Sequence, residues 1–163
     1  MADSMTVLRN AGPPGTKRNI AVLGDGFTAA DQAAYNDWVQ TTLIDGVFGH
    51  DYYSEDASAF NIYRINLESV DSLVSTRTYD DHGTPNDPTD DTVAAETIHD
   101  TALRMIFNGS WAHCWLEYGP QTEQRIQDAI NTWAPDANEI LVVLNNPNYG
   151  AAVVVGGHMC QWG

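Results

Sequence analysis

The chain has 163 residues, 43% hydrophobic and 10% aromatic, which suits one domain with its own core and argues against a disordered chain. Its 22 acids against 7 bases give a formal net charge of -15, so nucleic acid and anionic membrane surfaces are expected to be repelled. No apolar run approaches the ~20 residues that span a bilayer, and no basic segment followed by an apolar one marks a signal peptide.

In chain order, Thr6 to Leu8 reads as a short edge strand and Ala11-Gly12-Pro13-Pro14-Gly15 as a turn. Ile20 to Leu23 is a compact apolar run, so a strand over Asn19 to Leu23 is expected to be buried on both faces. Gly24 and Gly26 permit a sharp reversal at its end. Thr28 with Asp31 three residues on reads as a helix cap, and the helix is expected from about Thr28 to Leu43. Its apolar rows are Ala30, Ala34, Trp38 and Tyr35, Val39, Leu43.

Phe60 to Leu67 carries apolar residues at both parities, the mark of a second buried strand. Val70 to Asp91 shows no period and reads as a long loop. Thr92 to Phe107 reads as a helix, with Ala95, Ile98, Ala102, Met105 and Ile106 on one side and Asn108-Gly109 as its stop. Trp111 to Tyr118 is aromatic and reads as a strand or a packed loop. After Pro120 a helix follows through Ile126, Ala129, Ile130 and Trp133, ending at Pro135. Glu139 to Asn145 is the clearest buried strand, and Ala151 to Val155 is a last apolar run. Buried strands alternating with amphipathic helices predict an α/β domain with a largely parallel, twisted sheet and flanking helices. No repeat or linker divides residues 1–163.

Several constellations bear on chemistry. Gly24-Asp25-Gly26-Phe27-Thr28-Ala29 matches G-x-G-x-x-A between a strand and a helix, the place of a dinucleotide fingerprint. Asp25 would repel a pyrophosphate there, and the next strand begins about forty residues later instead of the usual ~20, so a structural turn is the stronger reading. Asp80, Asp81, Asp87, Asp90 and Asp91 offer oxygen ligands for calcium, without EF-hand spacing and with two interrupting prolines. His113, Cys114, His158 and Cys160 lack the C-x₂-C or H-x₃-H spacing of a zinc site. Cys114 and Cys160 are the two cysteines, and a disulfide between them or two free thiols are both open. No H-E-x-x-H, G-x-S-x-G or Walker A motif occurs, and His99-Asp100, placed by pattern on a helix, has no serine or cysteine set beside it.

Taken together, Val22-Leu23-Gly24-Asp25-Gly26-Phe27-Thr28, Ala59 to Asn66, Asp100-Thr101-Ala102-Leu103, and Ile140 to Asn145 followed by Tyr149-Gly150 resemble the secreted bacterial IgA-metallopeptidase family of zinc peptidases. Cys114, in Trp111-Ala-His-Cys-Trp, looks like a position some members share. The resemblance implies a zincin-like catalytic domain, secretion, and a protein or peptide substrate. In that family a twisted sheet precedes a helix carrying H-E-x-x-H, whose histidines bind zinc and whose glutamate activates water. That helix would follow the segment corresponding to Glu139 to Gly157, so the expectation is the amino-terminal part of such a domain, with no zinc ligand or general base of its own. An exposed half-domain surface would favour self-association. Two other readings compete: a non-catalytic secreted α/β interaction domain that binds calcium, and a Rossmann-like nucleotide-binding domain using Gly24 to Ala29.

Overall fold

The computed structural model describes residues 3–50, 54–84, 87–109 and 116–146, and the backbone of 152–155. Nine strands form two mixed sheets among the described residues. The larger contains β1 (Ser4–Arg9), β2 (Arg18–Asp25), β3 (Phe60–Asn66), β8 (Glu139–Leu144) and β9 (Ala152–Val155), in the order β1-β3-β2-β8-β9. The smaller contains β4 (Ser75–Asp80), β5 (Thr92–Thr97), β6 (Met105–Phe107) and β7 (Leu116–Tyr118), in the order β5-β4-β6-β7. The longer helices among the described residues are α1 (Gln32–Trp38), running on into a π-helical segment Val39–Val47, and α2 (Thr122–Trp133).

The α/β class read from the sequence holds, but the main sheet is mixed. Strands β3, β2 and β8 are parallel, while β1 and β9 pair antiparallel at the two edges. The second antiparallel edge follows from chain length. A parallel crossover needs about a dozen residues or more, and only 145–151 lie between β8 and β9.

Alternation along the three central strands makes two cores. Ala21 and Leu23 of β2, Ile65 of β3, and Val142 and Leu144 of β8 face Ile126, Ala129 and Ile130 of α2, together with Val74, just before β4, and Met105 and Phe107 of the second sheet. Ile20, Val22, Ile62, Leu141 and Val143 face Tyr35, Val39, Leu43 and Phe48 on the opposite side. The main sheet is therefore a middle layer, which is why β2 is buried along nearly its whole length.

Helix α1 begins later than Thr28. The Thr28 carbonyl accepts the Asp31 amide at 2.9 Å, closing a turn. The Asp31 carboxylate accepts the Thr28 amide at 3.1 Å and the Thr28 hydroxyl at 2.7 Å. The predicted pair is present, but the hydroxyl is spent on Asp31 and caps no helical amide.

Two expectations are corrected. Val70 to Asp91 is not one loop, since β4 lies inside it. Thr92 to Phe107 is not a helix: β5 and β6 occupy its ends, with a turn between them. The amides of Leu103 and Met105 bond to the Asp25 carboxylate, and Arg104 between them has φ 60°, so none of the three can propagate a helix. The apolar spacing that suggested a helix comes from residues on two different strands and the turn joining them. In consequence His99-Asp100 lies in that turn and not on a helix.

Candidate functional site

The chain leaves β2 toward β3 on one side and later returns to pair β8 on the other, so the carboxyl end of β2 is a topological switch point. The residues there are Asp25, Gly26 and, at the end of β8, Asn145. Segment 69–74 fills the crevice. The amides of Leu73 and Val74 donate to the carbonyls of Gly26 at 2.8 Å and Asn145 at 3.1 Å. The Gly26 amide donates to the Ser69 hydroxyl at 3.1 Å, and the Asn145 side-chain amide donates to the Gly26 carbonyl at 2.9 Å. Gly26 has φ 78°, and a Cβ there would lie 2.6 Å from the Leu73 carbonyl carbon, so only glycine fits this approach.

Asp25 points inward and is fully buried. One carboxylate oxygen accepts the Leu103 amide at 2.8 Å. The other accepts the Met105 amide at 2.9 Å and the Thr101 hydroxyl at 3.1 Å. Burial pushes this carboxyl above the usual carboxylate range, against the pull of those donors. Asp25 thus ties β2 to the second sheet. With the Gly26 amide given to Ser69, the corner Gly24 to Ala29 supports a structural turn better than a phosphate cradle. In the sequence Asp25 stands out only as a charge that would sit beside a phosphate. Its partners lie more than seventy residues away, where no local signal points.

The end of β3 is fixed by side-chain amides. Gln32 donates to the carbonyls of Phe27 and Leu67, each at 3.0 Å, and accepts from Asn66 at 2.8 Å. The Tyr35 hydroxyl sits 2.9 Å from the Val22 carbonyl and 3.2 Å from that of Ile65, and burial raises its pKa. These contacts hold the carboxyl ends of the parallel strands in one arrangement.

Beyond β8 lies β9, the outer strand on this side of the main sheet. Its register pairs Ile140 with Val155, Leu141 with Val154, Val142 with Val153 and Val143 with Ala152. One side of β9 is bonded to β8, and no described strand pairs its other side. An edge of this kind offers main-chain donors and acceptors to an extended polypeptide.

The calcium candidates are placed on the hairpin that joins β4 to β5. Asp80 accepts the His82 amide at 3.0 Å, Asp81 the Gly83 amide at 3.0 Å, and Asp87 the Thr89 amide at 3.0 Å. Asp90 takes the Thr84 hydroxyl at 2.9 Å, and Asp91 leads into β5. These are turn-forming contacts. Among the described residues no three His, Cys, Asp or Glu side chains converge as a metal site. His113, Cys114, His158 and Cys160, and with them the disulfide candidates, lie outside the described residues. A cleft of about 350 Å³ opens at the end of the second sheet, with Ile98, Ile106 and Pro120 on its apolar side and His99, Asp100 and Arg104 on its polar side. Asp100 and Arg104 are paired across 3.5 Å. No helix among the described residues is long and apolar enough to cross a membrane.

No protein-family model matches the chain, and no curated protein matches it significantly.

Proposed function

We propose that this chain is the substrate-presenting scaffold of a zinc-dependent peptidase, a zincin-like domain taken up to the strand before its metal-binding helix. The observation that carries the reading is β9: an antiparallel edge strand set beside the parallel trio β3-β2-β8. A protein substrate in extended form would add to the free side of β9, so that its scissile bond is held at a fixed height above the carboxyl ends of the parallel strands. The clamped corner at Asp25, Gly26 and Asn145 supports the same reading, because a rigid base keeps that height constant.

The residues present do not make a zinc site. The chain has no H-E-x-x-H, and no ligand-type cluster occurs among the described residues. Activation of water is therefore assigned to none of these side chains, and the reading places that chemistry on a helix encoded downstream of Gly163. The test is the reading frame beyond Gly163. The proposal expects H-E-x-x-H within about forty codons. A frame that stops at once, or runs on through a full domain without the motif, would contradict it.

A further inference from the structure

The second sheet has an open edge of a different kind. Strand β4 pairs with β6 only at Ser75 and Thr76, so the rest of the β4–β5 hairpin overhangs the body as a two-stranded ribbon. All six residues of β5 are exposed, with Val93 at 53% and Ile98, just beyond it, at 64%. Two-stranded ribbons are marginal alone in water. This one is braced on one face, where Arg77 pairs with Glu96 and Glu117 and the Tyr79 hydroxyl donates to Glu117 at 2.5 Å. Among the described residues no strand pairs the outer edge of β5.

Charge states what would fit that edge. From Tyr79 to Ile98 the chain carries Asp80, Asp81, Asp87, Asp90 and Asp91, besides Glu96 that Arg77 already pairs, and neither Lys nor Arg. A second copy would bring the same acids against themselves. We propose that β5 is a docking strand for an extended, basic segment of a partner polypeptide, one that alternates Lys or Arg with apolar residues. Its backbone continues the sheet beyond β5, its apolar side chains lie against Val93 and Ile98, and its cations face the hairpin carboxylates. Ala94 is bulged out of the β4 register, which gives the edge a local twist and limits straight pairing to a short segment. This inference is independent of the peptidase reading, since it uses a different sheet.

The test uses the chain as it stands and a fluorescent ten-residue peptide of alternating Lys and Val. Controls replace every Lys by Glu, or place Pro at the two central Val positions. Anisotropy is expected to show saturable binding of the Lys peptide, weakened at least tenfold between about 50 and 500 mM salt. The Glu and Pro peptides are expected not to bind. Hydrogen exchange is expected to slow at Thr92–Thr97 when the Lys peptide is present. Val93→Lys, which places a cation on the edge, is expected to weaken binding about tenfold. The triple change Asp80→Asn, Asp81→Asn, Asp90→Asn keeps the turn acceptors and is expected to flatten the salt dependence. Circular dichroism of both variants checks folding, and the Pro peptide tests strand addition without altering the protein. Equal binding of Lys and Glu peptides, no binding at about 1 mM, protection elsewhere than β5, or a dimer that Val93→Lys dissolves would each overturn the proposal.

Discussion

The corner at the end of β2 and the hairpin β4–β5 use similar residues for opposite ends. Both place aspartates at turns. At the corner, Asp25 is fully buried and holds two distant amides and a hydroxyl. On the hairpin, Asp80, Asp81 and Asp87 hold amides two residues away and remain near solvent. A carboxylate joined to distant segments fixes tertiary structure, whereas one joined to its own turn shapes only that turn. Removal should therefore cost much at the corner and little on the hairpin.

The largest effect is expected at Asp25. Asp25→Ala leaves the Leu103 and Met105 amides and the Thr101 hydroxyl buried without an acceptor and should cost about 3–5 kcal/mol in denaturant unfolding. Gly26→Ala follows, at about 2 kcal/mol or more, because its Cβ would meet the Leu73 backbone at 2.6 Å in a left-handed conformation. Tyr35→Phe removes the hydroxyl between the Val22 and Ile65 carbonyls and should cost about 1–1.5 kcal/mol by the same measurement.

The smallest effect separates the corner from Glu117, the β7 residue that braces the hairpin, by the sign of their pH dependence. Burial raises the Asp25 carboxyl above its ordinary 3.8, so its contribution is fully present below 3.8 and declines as pH rises through the folded value. Glu117 behaves in the opposite sense. Burial raises it, but the Tyr79 hydroxyl, the Asn108 amide and Arg77 outweigh burial and hold it below 4.5. Its contribution is present above 4.5 and declines as pH falls through the folded value. Glu117→Gln should cost about 0.5–1 kcal/mol near neutral pH, and unfolding followed from pH 3 to 7 should show that difference shrinking in acid.

The same contrast explains what the sequence disclosed. Asn19 to Leu23, Phe60 to Leu67 and Glu139 to Asn145 were legible because burial on both faces writes a continuous apolar run into the chain. Strand β4 was not, since Thr76, Arg77, Thr78 and Tyr79 alternate between exposed and half-buried without any apolar period. Strand β5 carries a helical pattern in the sequence because its exposed alanines give no strand signal, and because Met105 and Ile106 extend a helical spacing they do not share. What decides that region is a contact from Asp25 about eighty residues back. At the candidate site the glycines of the corner were visible in the sequence. The inward turn of Asp25, the Ser69 and Asn145 partners and the antiparallel placing of β9 were not, because each depends on pairing between distant segments.

The claim that this scaffold serves a zinc peptidase is tested most directly on the polypeptide continued past Gly163. Metal content and cleavage of an unfolded protein chain would be measured on the same sample. The account predicts one zinc per chain, hydrolysis abolished by a chelator and restored by zinc, and loss of both zinc and hydrolysis when the downstream histidines are replaced. A folded, continued chain that binds no zinc, or that cleaves equally well with the metal removed, would contradict it.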